Sequence, residues 1–388
     1  MTLLQSGQSE QEMGSRPENS HEDVYPYHVN ELLTYLVQHR GSDLHLSAGA
    51  PPGFRVNGEL HRADDYPPLR PRALQVLIYS VLSQGQRERF EDALELDTSH
   101  TVPGAGRFRL NVLKQRGSLG AVFRHIPFEI LSAEQLGLPS VVSGFADLPR
   151  GLVLVTGPTG SGKTTTLAAV LDLVNQRRAS HIVTVEDPIE FLHPHKRSLV
   201  DQREVGVDTK SFAEALKHVL RQDPDVILVG ELRDLETISS AITAAETGHL
   251  VLGTLHTQDA PQAIDRIIDV FPTNQQQQVR MQLAASIQGI VTQQLLKRSD
   301  GRGRVAAVEV LVGTPAVRNL IREGKSHQLY SAMQAGAQFG MQTMDAALVD
   351  LVTKKQITLA EALAASSNPE EIRRLAGSGG GYVGNIRV

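Results

Sequence analysis

Gly157-Pro-Thr-Gly-Ser-Gly-Lys-Thr164 has the spacing G-x-x-x-x-G-K-[ST], and its residue types suit one task, the gripping of a phosphate chain. Gly157, Gly160 and Gly162 let successive backbone N–H groups converge on phosphate oxygens, and Pro158, Thr159 and Ser161 complete the loop. Lys163 sets an ammonium against β/γ charge, and the Thr164 hydroxyl can ligate Mg²⁺. Thr165 continues into a helix-length segment whose positive end faces the same oxygens. An apolar run from Leu152 to Val155 stands directly before the loop, so pattern and strand–loop–helix context agree.

Acidic and imidazole groups follow at the ends of further apolar runs. Val226-Ile-Leu-Val-Gly-Glu231 reads as a buried strand ending in a carboxylate, where an acid reaches a metal-bound water beside a phosphate loop. Gly230 stands where many such motifs carry aspartate, which leaves Glu231 as the metal-shell or water-ordering group. Val183-Thr-Val-Glu-Asp-Pro-Ile-Glu190 places Glu186, Asp187 and Glu190 after another strand, at the carboxyl edge where open sheets bind ligands. One of these could polarise an attacking water, and residue type alone does not choose among them. Gly248-His-Leu-Val-Leu-Gly-Thr-Leu-His256 puts His249 and His256 at the two ends of a third strand, as candidates for sensing a γ-phosphate.

The runs that carry these groups alternate with helix-length segments from Gly151 onward, the pattern of an α/β domain whose parallel strands are covered on both faces. Its end is expected to be an amphipathic helix with Val279, Leu283, Ile287, Ile290 and Val291 on one stripe and the amides Asn274 to Gln278 as its solvated first turn. Residues 25–128 mix helical and alternating segments and read as a smaller α+β domain. Residues 129–149, with Pro139 and Pro149, read as a linker to the α/β domain at 150–372. Acidic residues 1–24 and glycine-rich residues 373–388 read as flexible tails.

Composition narrows the chemistry. With no cysteine, disulfides, thiolate catalysis and cysteine-ligated metals are excluded. No apolar stretch approaches a membrane span, and Met1 to Glu10 lacks the pattern of a secretory signal, so the cytoplasm is the expected compartment. A net charge of −5, with five acids and only Arg16 as a base before Tyr25, offers no basic surplus for nucleic acid. No Asn-Lys-x-Asp motif is present to read a guanine base.

The phosphate loop, Glu186-Asp-Pro-Ile-Glu190, Ile227-Leu-Val-Gly-Glu-Leu-Arg-Asp234 and Ala244-Ala-Glu-Thr-Gly-His-Leu-Val251 through His256, in that order, resemble the secretion and type IV pilus ATPases over most of residues 28–372. The resemblance implies a RecA-like P-loop NTPase domain preceded by a PAS-like domain, with ATP and Mg²⁺ as ligands. It makes Glu231 the Walker B acid, 186–190 the Asp box with Glu190 at the general-base position, and 249–256 the His box. Gly41-Ser-Asp-Leu-His-Leu-Ser47 and Gly106-Arg-Phe-Arg-Leu-Asn111 resemble the PAS-like domain, in which Arg109 and Arg124 match arginines that reach toward the γ-phosphate.

Within the family, the retraction branch is expected. There is no long extra N-terminal region and no tetracysteine element, and Thr314-Pro-Ala-Val-Arg-Asn-Leu-Ile-Arg-Glu-Gly-Lys325 resembles that branch's C-terminal signature, with Val317 replacing the commoner isoleucine. The implied protein is a homohexameric motor that powers pilus retraction and twitching motility. It would be cytoplasmic and peripheral at the inner membrane, with a pilus platform protein and a second retraction ATPase as partners. An accessory retraction ATPase or a type II secretion ATPase is the nearest alternative. A RecA-like DNA translocase is the rival of another class, and the charge balance argues against it.

Overall fold

The computed structural model describes residue 25 and residues 27–56, 58–126 and 130–378, so the tail expected at 1–24 and residues 379–388 of the tail expected at 373–388 lie outside the described residues. The chain divides into two compact units, Met1–Ile126 and Pro127–Val388.

The first unit is α+β, as its mixed patterning predicts. Strands β1 (Gly41–Ser47), β2 (Gly53–Val56), β3 (Glu59–Arg62), β4 (Glu95–Val102), β5 (Gly106–Gln115) and β6 (Ser118–Ile126) form one sheet in the order β3-β2-β1-β6-β5-β4. Every pairing is antiparallel. Phe108, Leu110 and Val112 of β5 are fully buried on one face, together with Leu32, Leu33 and Leu36 of the helix Val29–Gln38. The alternate residues Arg107, Arg109 and Asn111 therefore share the other face.

In the second unit, strands β7 (Gly151–Thr156), β8 (His181–Glu186), β9 (Leu199–Glu204), β10 (Val226–Val229), β11 (Leu250–Leu255), β12 (Ile287–Lys297) and β13 (Arg304–Val312) build a seven-stranded sheet. Its order is β13-β12-β7-β11-β10-β8-β9, parallel throughout except for the antiparallel β12–β13 pair. Leu152 and Leu154 face one apolar cluster with Val251, Ile242 and Leu283. Val153 and Val155 face another with Leu167, Leu171 and Val291. Burial on both faces is why these strands are continuous apolar runs and not alternating ones. After β7 the chain crosses to β8 and later returns on β7's other side as β12, so the topological switch point lies beside β7. Ligands of open sheets bind at the carboxyl ends of such strands.

Three expectations are corrected. The expected helix beyond Val279 ends at Ser286, and Ile287, Ile290 and Val291 belong to β12. A short apolar run with i, i+3, i+4 hits also fits a strand buried on both faces, and here β7 and β13 flank it. The amide-rich turn is exposed as expected. Residues 130–149 are not a free linker: Leu138, Val142, Phe145 and Ala146 are buried in the second unit's core, where Phe145 occupies the space a side chain at Gly289 would need. The helix Pro369–Ser378 also covers the first residues of the segment expected to be a C-terminal tail. Among the described residues no helix is long and apolar enough to cross a membrane.

Candidate active site

The phosphate-loop residues connect the carboxyl end of β7 to the helix Lys163–Arg177. Three glycines make that turn possible, Gly160 among them with φ +78°. Gly157 has φ +138° and Gly162 φ +90°, and a Cβ at Gly157 would collide with the Gln293 carbonyl and the Ser161 hydroxyl. The loop is thereby laid against β12, and buried hydrogen bonds hold it there. Thr156 and Thr292 hydroxyls lie 2.9 Å apart, and Thr166 Oγ1 donates to Gln293 Oε1 at 2.7 Å.

Lys163 is buried, and its Nζ donates to the carbonyls of Gly157 at 2.9 Å and Pro158 at 3.0 Å. Burial lowers the pKa of this ammonium, and the charges of Glu231 and Glu190 act against that shift. Above it opens a cavity of about 290 Å³ lined by Gly160, Gly162, Thr164, Thr165, Glu190, Leu295 and Arg304 as well as Lys163. The Ser161 hydroxyl is buried and has no hydrogen-bond partner among the described residues. A cavity lined by Lys163 and Arg304, beside an orphaned hydroxyl at the start of the helix Lys163–Arg177, fits a phosphate chain and its magnesium ion.

The two Asp-box glutamates have different surroundings. Glu186, the last residue of β8, is buried and accepts from Thr184 Oγ1 at 2.6 Å, Gln202 Nε2 at 3.2 Å and the Glu190 N–H at 3.4 Å. Burial raises its pKa despite these bonds. Glu190 is exposed and lines the cavity. Glu186 therefore anchors the segment, and Glu190 is the carboxylate free to meet a water.

Glu231 follows β10 and is held between Arg233 Nη2 at 2.7 Å and His256 Nε2 at 3.2 Å. Burial pushes its carboxyl upward, but the bonds and charges of Arg233 and His256 outweigh that, so its pKa is lowered. A carboxyl kept ionised in this way suits a metal-bound water. Gly230 explains the missing aspartate in part, because a Cβ there would stand 3.3 Å from Glu186 Cα and from the Val185 carbonyl.

His249 does not join this group. It precedes β11, its carbonyl accepts from the Gly151 N–H at the start of β7, and its Nδ1 lies 2.9 Å from the Ala244 carbonyl. A six-residue parallel strand separates it from His256, roughly 20 Å along the chain. It sits at the amino edge of the sheet, and the loop sits at the carboxyl edge.

Arg109 and Arg124 belong to the first unit, where they are cross-strand partners, with Ser99 and Asp43 next in the same row. Arg124 Nε donates to Asp43 Oδ1 at 2.8 Å. Burial raises the Asp43 pKa, but bonds from Ser42 and Arg124 turn the net shift downward.

Sequence reasoning passed over Arg233, Gln293, Leu295 and Arg304. Arg233 stands two residues past Glu231 and was visible in the motif. The other three lie on the β12–β13 hairpin, which the helical stripe concealed.

Comparison with known proteins places most of the chain among relatives. A family model described as type II/IV secretion system protein matches residues 23–364. The type IV pilus retraction ATPase PilT of Pseudomonas aeruginosa is 53% identical over 342 residues, spanning 88% of this chain and 99% of its own length. The type IV pilus ATPase PilU of the same organism is 43% identical over 343 residues, spanning 88% and 90%. A crystal structure of the pilus retraction motor PilT with bound ADP matches with a TM-score of 0.85 at 50% identity, covering 90% of this chain and 99% of that one.

Proposed function

The chain belongs to the type II/IV secretion system protein family, and on that premise we propose that it is an ATP-hydrolysing motor that powers type IV pilus retraction. The observation that carries the chemistry is the cavity in which Lys163, Thr164 and Glu190 meet above the phosphate loop. The branch rests on the retraction relative, which is 53% identical where PilU is 43%.

The residues divide the work by position. Lys163 exchanges its loop carbonyls for β/γ-phosphate oxygens, and the N–H groups around Gly160 to Thr165 take the remaining charge. Once ATP is bound these donors are held in place, so they cost little further reorganisation as charge develops in the transition state. Glu190 orients the attacking water and accepts its proton. Thr164 and Glu231 would hold Mg²⁺, directly or through water, and the ion when bound neutralises charge on the β and γ oxygens. His256 and Arg233 fix the Glu231 carboxylate. For Arg109 and Arg124, a role at the γ-phosphate is supported by the family resemblance. A homohexamer acting at the inner-membrane face of a pilus machine is the assembly proposed with this function.

The test pairs two measurements on one set of strains. Purified protein should hydrolyse ATP in a Mg²⁺-dependent manner, and cells lacking the gene should keep their pili but lose twitching. Restored twitching by a variant without ATPase activity would refute the motor reading. ATPase activity in a protein whose loss leaves retraction normal would remove the pilus assignment.

A further inference from the structure

The β12–β13 hairpin overhangs the phosphate loop. β12 is level with the end of β7 at Thr292↔Thr156, then continues from Gln293 to Lys297, where β13 begins opposite it at Arg304. At about 3.3 Å per residue the overhang is roughly 16 Å. It rises on one side of β7, and β11, β10 and β8 lie on the other with His256, Glu231 and Glu190 at or beyond their carboxyl ends. The hairpin is not a loose flap, because the buried Thr156–Thr292 and Thr166–Gln293 hydrogen bonds tie its base to the end of β7 and to the helix that follows the loop.

Two hairpin side chains, Leu295 and Arg304, enter the wall of the phosphate cavity. Leu295 Cδ1 lies 3.5 Å from where a Cβ on Gly162 would stand. Arg304 is exposed, and among the described residues its side chain makes no hydrogen bond or ion pair, whereas Lys163 is held by loop carbonyls and Glu231 by Arg233 and His256. An uncommitted guanidinium beside a phosphate cradle is matched to an anionic oxygen pair.

The acids set the polarity of the bound chain. Hydrolysis must occur where Glu231 and Glu190 face Lys163, so the γ-phosphate lies on that side and the α-phosphate and sugar lie toward the hairpin. We infer that Arg304 is a nucleotide-affinity residue that binds the α-phosphate of ATP and ADP alike, with Leu295 covering the sugar edge. This rests on the ATP-hydrolase reading above. The α-phosphate keeps its charge through hydrolysis, so the contact has equal strength in ground and transition states. It should set KM and leave kcat nearly unchanged.

The test uses full-length wild type, Arg304→Ala and Arg304→Lys. ADP affinity is measured by calorimetry, ATP turnover by steady-state kinetics, and inorganic pyrophosphate is the competitor that lacks an α-phosphate with its sugar. In Arg304→Ala, Kd for ADP and KM for ATP should each rise roughly tenfold with kcat within about twofold, and the lysine variant should fall between. Pyrophosphate should compete equally well in all three proteins. Because the side chain is exposed and unbonded, melting temperature should not move. Unchanged ADP affinity in Arg304→Ala would show an ordinary solvated arginine and overturn the inference. A fall in kcat at constant KM, or equal losses for pyrophosphate and ADP, would overturn the α-phosphate assignment. Wild-type protein that binds no nucleotide would instead sink the hydrolase reading, and this inference with it.

Discussion

Glu190→Gln and Glu186→Gln should fail in different ways, because one carboxylate faces the cavity and the other is locked beneath it. Glu190 is exposed, so an amide of the same shape should cost little stability. It removes the proton acceptor, and general-base catalysis contributes about 10²- to 10⁴-fold, so kcat should fall by at least roughly a hundredfold, near 2.7 kcal/mol. ADP should bind as well or better, since a negative charge has left the neighbourhood of Lys163. Glu186→Gln instead disturbs bonds from Thr184, Gln202 and the Glu190 N–H. An amide presents one acceptor where the carboxyl presents two, leaving a buried donor poorly matched at about 1–3 kcal/mol. The expected result is a lower melting temperature with partial activity. Single-turnover ATP hydrolysis and calorimetric ADP binding, run beside thermal unfolding, separate the two outcomes. A stable, inactive Glu186→Gln protein together with an active Glu190→Gln protein would refute the assignment, whatever the family pattern implies.

Lys163→Ala should abolish measurable hydrolysis while far-ultraviolet circular dichroism stays unchanged, because Nζ bonds only loop carbonyls; wild-type turnover would contradict the phosphate-loop assignment. At the end of the helix Pro315–Arg322 and its C-cap Glu323, alanine at Asn319, Arg322 and Glu323, whose exposed side chains bond to one another and, for Glu323, to Lys325, should spare ATPase activity and stop retraction in a twitching assay. Arg318 does not belong with them, since it donates to the Gly313, Ala284 and Ala285 carbonyls and to Gln288; its alanine variant should lower the melting temperature. Glu309 is buried, and burial raises its pKa from 4.5 to about 7 against bonds from the Ala260 and Met344 N–H groups. A raised folded pKa means the proton is held more tightly in the folded state. This contribution is therefore fully present below pH 4.5 and is lost as pH rises through about 7, on the order of 3 kcal/mol. Glu309→Gln should flatten that part of the stability–pH curve in urea titrations, and an unchanged slope would contradict the assignment.

What the sequence could reveal followed from whether a signal was local. The phosphate loop is contiguous, its glycines are demanded by backbone angles within the motif, and Lys163 and Thr164 fall where the spacing places them. Glu231 and His256 were legible because each ends an apolar run, and parallel pairing of β10 with β11 brings the run ends together. The same logic failed for His249, since a strand has two ends and only one reaches the ligand edge. Choosing between Glu186 and Glu190 required knowing which side of a turn faces inward, and spacing does not encode that. Arg304 was hidden for a deeper reason: its place over the loop depends on the pairing of β12 with β7, a contact between segments far apart in sequence. Ile287, Ile290 and Val291 lie in a strand that runs alongside β7, and its continuation from Gln293 to Lys297 carries the hairpin to the cavity above the phosphate loop. One misread period therefore concealed an entire wall of the site, and with it the residue whose substitution should separate nucleotide affinity from turnover.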